Sequence, residues 1–518
     1  MISKKSKLKR FALEGARIRR ILKRTVRLSY ARRSLAKERR RVLAVLLALL
    51  ALSQFSCLSS PSRIPNLEQI FAGVRERHGK RPIIIIPGIL GSELVHRKTG
   101  EVAWPRLLGV ARNQLPLPMT PDLAANRDDL VPGKIIESVS FAKILPEVYV
   151  YRGLLEALRK YAGYKDGNWD NPGADGDKDT VYTFPYDWRR DNVETARELI
   201  VRIETLKQKL NRPDLRFNII AHSMGGLVAR YAAMYGDADL PKDGVAPAPN
   251  WAGAAHIQRI IMLGTPNEGL MDAFASILRG YSLTEGLHRL RLFSTLSKEL
   301  AFSSPAVFEL LPHNHSARFV DQNLQPLSID LYDPANWRKY GWAETARHDF
   351  SKRPLDGITA DSNTATEAEK SIQYLTAVLH RAVRFHEALD ARTSDSLVGL
   401  FSFAGDCEQT LDAPVIVRDD KSNRWLTLTE PRDFRRTTGG KVSRREAIAA
   451  MYVPGDGRVT RNSALGQDSY GVPRDGNLAN PGLPITYAYF GCELHGSLPN
   501  NKTLQDNALS TLVNEIVR

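Results

Sequence analysis

The fold class this sequence predicts is α/β, a mainly parallel, doubly wound sheet with an inserted helical cap. Three observations carry it. Unbroken β-branched runs recur in the first half of the chain, amphipathic helical patterns alternate with them, and a helix-rich block after Gly269 ends where strand character returns.

The run Pro82-Ile-Ile-Ile-Ile-Pro87 has no polar face, so it reads as a strand buried on both sides, as in a parallel sheet. Arg216–Ala221 and Ile257–Leu263 behave alike, and helical spacing covers Glu194–Leu210 and Leu227–Tyr235. Leu and aromatic spacing over Leu287–Leu311 and Glu367–Leu389 predicts helices, after which Leu397–Phe403 and Ile485–Phe490 complete the sheet. The block at about 270–395 is therefore expected to be a cap over the sheet, where substrate preference usually sits. No internal repeat is visible.

With 518 residues, 43% hydrophobic and 25% charged, the chain has ample material for a core. The formal charge of +16 is concentrated at one end. Residues 1–41 hold 17 Lys/Arg against Glu14 and Glu38, a balance of +15 that leaves +1 for residues 42–518. A nucleic-acid-binding body would need its own basic patch, so nucleic acid is not an expected partner. Residues 1–61 read as a basic leader with an apolar export or anchor segment, and 62–518 as the α/β body.

The apolar run Val42–Leu52 is eleven residues long. A comfortable membrane span needs about 20, so the run matches the core of a signal peptide better. The basic stretch before it is long for such a signal, so either the true start lies downstream of Met1 or the leader stays as a signal anchor. Cys57 suggests a lipoprotein cysteine, although Gln54 stands where an aliphatic residue is expected. The expectation is an exported protein associated with a membrane surface through its N-terminal segment. Cys407 and Cys492 can form one disulfide in an oxidising compartment, with two buried free thiols as the alternative. Nothing in the sequence bears on oligomeric state.

The strongest chemical signal is Ile219-Ile-Ala-His-Ser223-Met-Gly-Gly-Leu-Val, which follows a strand and opens a helix. A nucleophilic serine on a tight strand-to-helix turn needs small residues two before and two after it, and here they are Ala221 and Gly225. Such an elbow supplies one oxyanion donor, the N–H of Met224. The loop Pro87-Gly-Ile-Leu-Gly-Ser92 follows an earlier buried strand, and its Ile89 N–H is the second candidate donor.

The base is expected after the acid in chain order. His495, in a loop just past the last strand, fits that position, whereas His222 adjoins the serine and is expected to point away from it. Two acids qualify. Asp456 sits in Val-Pro-Gly-Asp-Gly-Arg-Val459 and Asp406 in Phe-Ala-Gly-Asp-Cys407; the Gly-Asp-Gly turn exposes its carboxylate and makes Asp456 the preferred one.

With these pieces assembled, the chain resembles the lecithin:cholesterol acyltransferase-like α/β-hydrolases. The resemblance rests on Ile86-Pro-Gly-Ile-Leu-Gly-Ser-Glu-Leu94, Phe184-Pro-Tyr-Asp-Trp-Arg189, Ala221-His-Ser-Met-Gly-Gly226, Gly264-Thr-Pro-Asn-Glu-Gly269, Pro305-Ala-Val-Phe-Glu-Leu-Leu-Pro312, Gly455-Asp-Gly-Arg-Val459 and His495-Gly. It implies an α/β-hydrolase fold, a lipid ester as acyl donor, Ser223, Asp456 and His495 as triad, Ile89 and Met224 at the oxyanion hole, and Trp104 as a lid tryptophan near the donor. Arg458 stands where the family commonly has Thr, and the lid region at about 100–150 matches poorly.

Tyr186, Asp187 and Arg189 read as a buried polar brace rather than as catalytic groups. The acidic loop with Asp175, Asp177 and Asp179 lacks the Gly and distal Glu of a calcium-binding loop, so a solvated turn is the expectation and calcium the alternative. No P-loop, dinucleotide fingerprint or His/Cys metal cluster is visible, so neither a cofactor nor a metal is implied. The expected function is serine-dependent acyl transfer or hydrolysis of a lipid ester. An inactive lipid-binding scaffold is the opposing reading.

Overall fold

The computed structural model describes residues 64–105, 115–139, 148–282, 295–343, 362–391, 396–419, 422–467 and 483–513; the basic leader, its apolar run and Cys57 lie outside them. Seven strands form the central sheet: β1 Ile83–Ile86, β2 Lys165–Asp166, β3 Thr180–Thr183, β4 Phe217–His222, β5 Ile257–Leu263, β6 Gly399–Gly405 and β7 Ile485–Gly491. Their order across the sheet is β7-β6-β5-β4-β1-β3-β2, and every neighbouring pair is parallel.

The apolar runs form strands because both faces of the sheet are covered. Alternation along β1 divides its residues between two cores. Ile84 and Ile86 pack with Leu199 and Ile203 of α1 (Asn192–Lys209) and Val228 of α2 (Met224–Tyr235). Ile83 and Ile85 pack on the other side with Leu154 and Leu158 of the 152–161 helical segment and with Leu504 and Leu509 near the C-terminus. The same split separates Ile219 from Ile220 and Ile260 from Ile261, which is the doubly wound arrangement that the sequence predicts. α1 begins where Asp191 accepts a hydrogen bond from the N–H of Glu194.

Beyond β5 the described cap contains α3 (Met271–Arg279), short helices at Lys298–Ser303, Pro305–Phe308 and Pro334–Lys339, and α4 (Ser362–Asp390). It also has strand content that apolar spacing does not reveal. Phe319–Val320 and Pro326–Leu327 join Val415–Asp419 and Arg424–Leu428 in a four-stranded sheet, so the chain returns to the cap after β6. Strands of two residues are too short to show a period of two. In the expected lid region, Ser92–His96, Val102–Trp104 and Leu130–Ile135 form a small antiparallel sheet.

Cys407 and Cys492, just beyond the ends of the paired strands β6 and β7, are joined in a disulfide with Cα atoms 5.1 Å apart. The bond closes a stretch of 85 residues that includes Asp456, and His495 follows it by three positions. Replacing both cysteines by serine should lower the unfolding free energy by about 2–4 kcal/mol, because the unfolded chain regains the entropy that the cross-link removes. Guanidinium unfolding of the oxidised wild type and the double variant measures this, and an unchanged midpoint would refute it.

Candidate active site

The carboxyl ends of β1, β4, β5, β6 and β7 lie side by side, and open α/β sheets bind ligands at that edge. Ser223 sits between β4 and α2 with φ +53° and ψ −125°, a conformation that a side-chain-bearing residue adopts only under constraint. The constraint is the tight turn. A Cβ on Gly225 would lie 2.5 Å from the carbonyl oxygen of Pro87, so only glycine lets α2 start this close to β1.

His495 Nε2 stands 2.9 Å from Ser223 Oγ, and His495 Nδ1 stands 2.8 Å from Asp456 Oδ2. Asp456 is fully buried. Its other oxygen accepts from the N–H groups of Arg458 (3.0 Å) and Val459 (2.7 Å), and its own carbonyl accepts from the N–H of His495 at 2.9 Å. It is the backbone N–H of residue 458 that reaches the Asp456 carboxylate, a bond that does not depend on which side chain stands there. Arg458 instead turns its guanidinium to Asp272. Gly264, at φ +61°, leaves room for the pair: a Cβ there would fall 3.0 Å from His495 Nδ1 and 3.1 Å from Asp456 Oδ2. Asp406 is not part of this chain of bonds. Its carboxylate pairs with Arg461 Nη1 at 3.0 Å on the partly exposed side of β6.

Four side chains hold the loop Pro87–Ser92. Tyr186 Oη donates to the carbonyl of Pro87 (2.9 Å), the N–H of Gly88 donates to Tyr151 Oη (2.8 Å), Trp104 Nε1 donates to the carbonyl of Leu90 (3.0 Å) and Trp188 Nε1 donates to that of Ser92 (3.2 Å). The N–H of Gly88 is thus engaged, whereas that of Ile89 has no hydrogen-bond partner among the described residues. Trp104 is buried and packs edge-on against Trp188 at 5.8 Å, so its indole N–H serves the loop. Arg189, fully buried, binds Asp187 (2.7 Å) and Asp128 (2.6 Å) and anchors the Pro-Tyr-Asp-Trp-Arg segment, a buried brace as its composition implies.

Two residues beneath the site carry no sequence signal for the role they play. Tyr151 Oη meets His222 Nδ1 at 2.8 Å, and His222 Nε2 meets the carbonyl of His495 at 3.1 Å. A carbonyl only accepts, so Nε2 bears the proton and Nδ1 accepts from the tyrosine. The resulting line runs from the N–H of Gly88 through Tyr151 and His222 to the backbone of His495. The ring of His222 is engaged by Tyr151 and the backbone of His495, and it lies 5.0 Å from the ring of His495.

Burial, and secondarily the neighbouring His495, hold the pKa of His222 down at about 3, against an ordinary 6.5. A histidine with a lowered folded-state pKa takes its proton only on unfolding. Its stability contribution is therefore intact above about pH 6.5 and is lost as the pH falls toward 3, by up to about 1.4 kcal/mol per pH unit. Urea titrations between about pH 6.5 and 4 should show a shallower loss of stability in His222→Asn than in wild type. Equal slopes would exclude this residue.

The acidic loop is tied to neighbouring cations. Asp179 Oδ1 lies 2.7 Å from Lys80 Nζ, Asp177 pairs with Arg212, and Asp175 lies 3.4 Å from Lys178.

Sheet, elbow and cap define an α/β-hydrolase. The chain is similar to the lecithin:cholesterol acyltransferases, the family that residues 149–394 match. No curated protein sequence matches it. Similar solved structures include the Tle4-Tli4 complex, at 14% identity and a TM-score of 0.49 over 84% of this chain and 98% of that one. Others are the mature Bacillus licheniformis lipase BlEst2, at 12% identity and a TM-score of 0.29 over 84% and 92% of the two chains, and EstA from Clostridium botulinum, at 12% and 0.30 over 85% and 89%. At a general level the family match supports an enzyme that hydrolyses or transfers acyl groups of lipid esters.

Proposed function

We propose that the protein is a lipid O-acyltransferase of the lecithin:cholesterol acyltransferase type, working through an acyl-serine on a phospholipid or glycerolipid ester. The observation that carries this reading is the unbroken line from Ser223 Oγ through His495 to Asp456, at 2.9 Å and 2.8 Å. Ser223 Oγ attacks the ester carbonyl as its proton passes to His495 Nε2, and Asp456 stabilises the imidazolium that forms. The N–H groups of Met224 and Ile89 receive the oxyanion. Collapse expels the alcohol of the lipid, which takes the proton from His495, and a second alcohol then attacks the acyl-serine with His495 as base. With water as that acceptor the same cycle is a lipase or phospholipase reaction.

Product analysis separates these readings. The purified protein is incubated with mixed phospholipids and acylglycerols, with and without a long-chain alcohol. Acyl esters of the alcohol are the expected product, free fatty acid alone would make the protein a hydrolase, and failure of a fluorophosphonate to label Ser223 would favour the inactive scaffold.

The leader supports a companion reading, export with membrane attachment through residues 1–61, carried by the +15 balance and the apolar Val42–Leu52 run. No helix among the described residues is long and apolar enough to cross a membrane. Under this reading the native protein fractionates with membranes, while a chain beginning at Ser62 is released and still cleaves short esters.

A further inference from the structure

A second cluster of chemistry-bearing side chains lies between sheet and cap. The geometry points to Glu268, His313 and Asp390 as a divalent-cation site fitted to zinc, which ties the cap to the loop after β5. Glu268 belongs to the turn after β5, His313 to the cap segment after Pro312, and Asp390 to the C-terminal end of α4. They are far apart in sequence and come from three elements, yet their ligand atoms all lie within 4.8 Å of one another.

The distances suit a metal. Two ligand atoms bound about 2.0–2.1 Å from a tetrahedral zinc stand about 3.3 Å apart. Here His313 Nε2 lies 3.2 Å from Asp390 Oδ2 and 3.6 Å from Glu268 Oε2. The donor set suits it too. A neutral imidazole and two carboxylates bring a divalent cation to overall neutrality, and nitrogen with oxygen donors favours zinc over calcium or magnesium. Glu268 and His313 are buried, so an ion held between them would be shielded from bulk water.

His386 adds an independent observation. Its ring stacks on that of His313 at 4.0 Å, it is 3% exposed, and neither of its ring nitrogens has a hydrogen-bond partner among the described residues. His386 stands beside the cluster on the ring face of His313, and water fills the fourth position of a tetrahedral ion. The surroundings suit a structural tie. Asn314 Nδ2 steadies Asp390 Oδ2 at 2.9 Å, and Arg230 Nη2 donates to the carbonyl of Leu389 at 2.8 Å.

The full-length protein, stripped with a chelator and then titrated with zinc sulfate, tests the site. Binding of one zinc per chain with a rise in Tm is expected, together with a loss of affinity of about 100-fold or more in His313→Ala and Asp390→Asn. A stripped wild type that takes up no zinc, or variants that bind as tightly as wild type, would overturn the proposal and leave an ordinary buried ion pair. Should the variants fail to fold, cobalt(II) loaded into the wild type decides. The intense visible bands of a tetrahedral nitrogen and oxygen site support the proposal, and their absence refutes it.

Discussion

Ser223→Ala and His495→Ala should each lower turnover of an ester by about the same factor, on the order of 10⁴ or more, because residues that work as one unit are not additive. The equality tests the assignment better than either loss alone. Without Oγ there is no atom to carry the acyl group; without Nε2, 2.9 Å away, there is no acceptor for the proton that must leave as Oγ attacks. The double variant should therefore lose little beyond either single one. Removing Oγ from the strained elbow breaks no packing contact, so Ser223→Ala should fold and its melting curve should match wild type. Steady-state rates on a short p-nitrophenyl ester and on phospholipid vesicles measure the effect. Near-wild-type hydrolysis by either folded variant would sink the assignment.

Asp456→Asn should cost about 10³–10⁴ in turnover while leaving the fold intact. The N–H donors of Arg458 and Val459 still find an oxygen at Oδ1. An amide facing His495 Nδ1, however, either presents a donor to a donor or forces the tautomer that puts the proton on Nε2, where Ser223 needs a base. Asp406→Asn breaks only a partly exposed pair with Arg461, worth at most about 1 kcal/mol, and should leave turnover nearly unchanged. The opposite ranking would move the acid to Asp406.

The parts of the fold that can be read from sequence are those in which one residue type repeats under one constraint. Ile83–Ile86 must be apolar throughout because each face meets a separate core. The elbow is equally legible, since Ala221 and Gly225 are the only kind of neighbour that turn tolerates. Thr180–Thr183 escapes notice, because it follows the acidic loop and mixes Tyr with Thr, and its strand character comes from pairing with β1. Tyr151 escapes for another reason. Nothing near it in sequence marks a hydroxyl that collects Gly88 and His222, since the contact is made only when the 152–161 segment packs below the sheet edge. Glu268, His313 and Asp390 carry no spacing a motif could capture.

The four tethers on Pro87–Ser92 bear on how this protein would respond to a lipid–water interface. Interfacial activation has two possible origins, assembly of the oxyanion hole or uncovering of a finished one. In this structure the loop that bears Ile89 is fixed by Tyr186, Tyr151, Trp104 and Trp188. With the N–H of Ile89 as the proposed oxyanion donor, that donor is preorganised, and a surface has nothing left to assemble there. A rate jump at the critical micelle concentration would then report admission of substrate alone, and soluble monomeric esters small enough to enter would react without any lag.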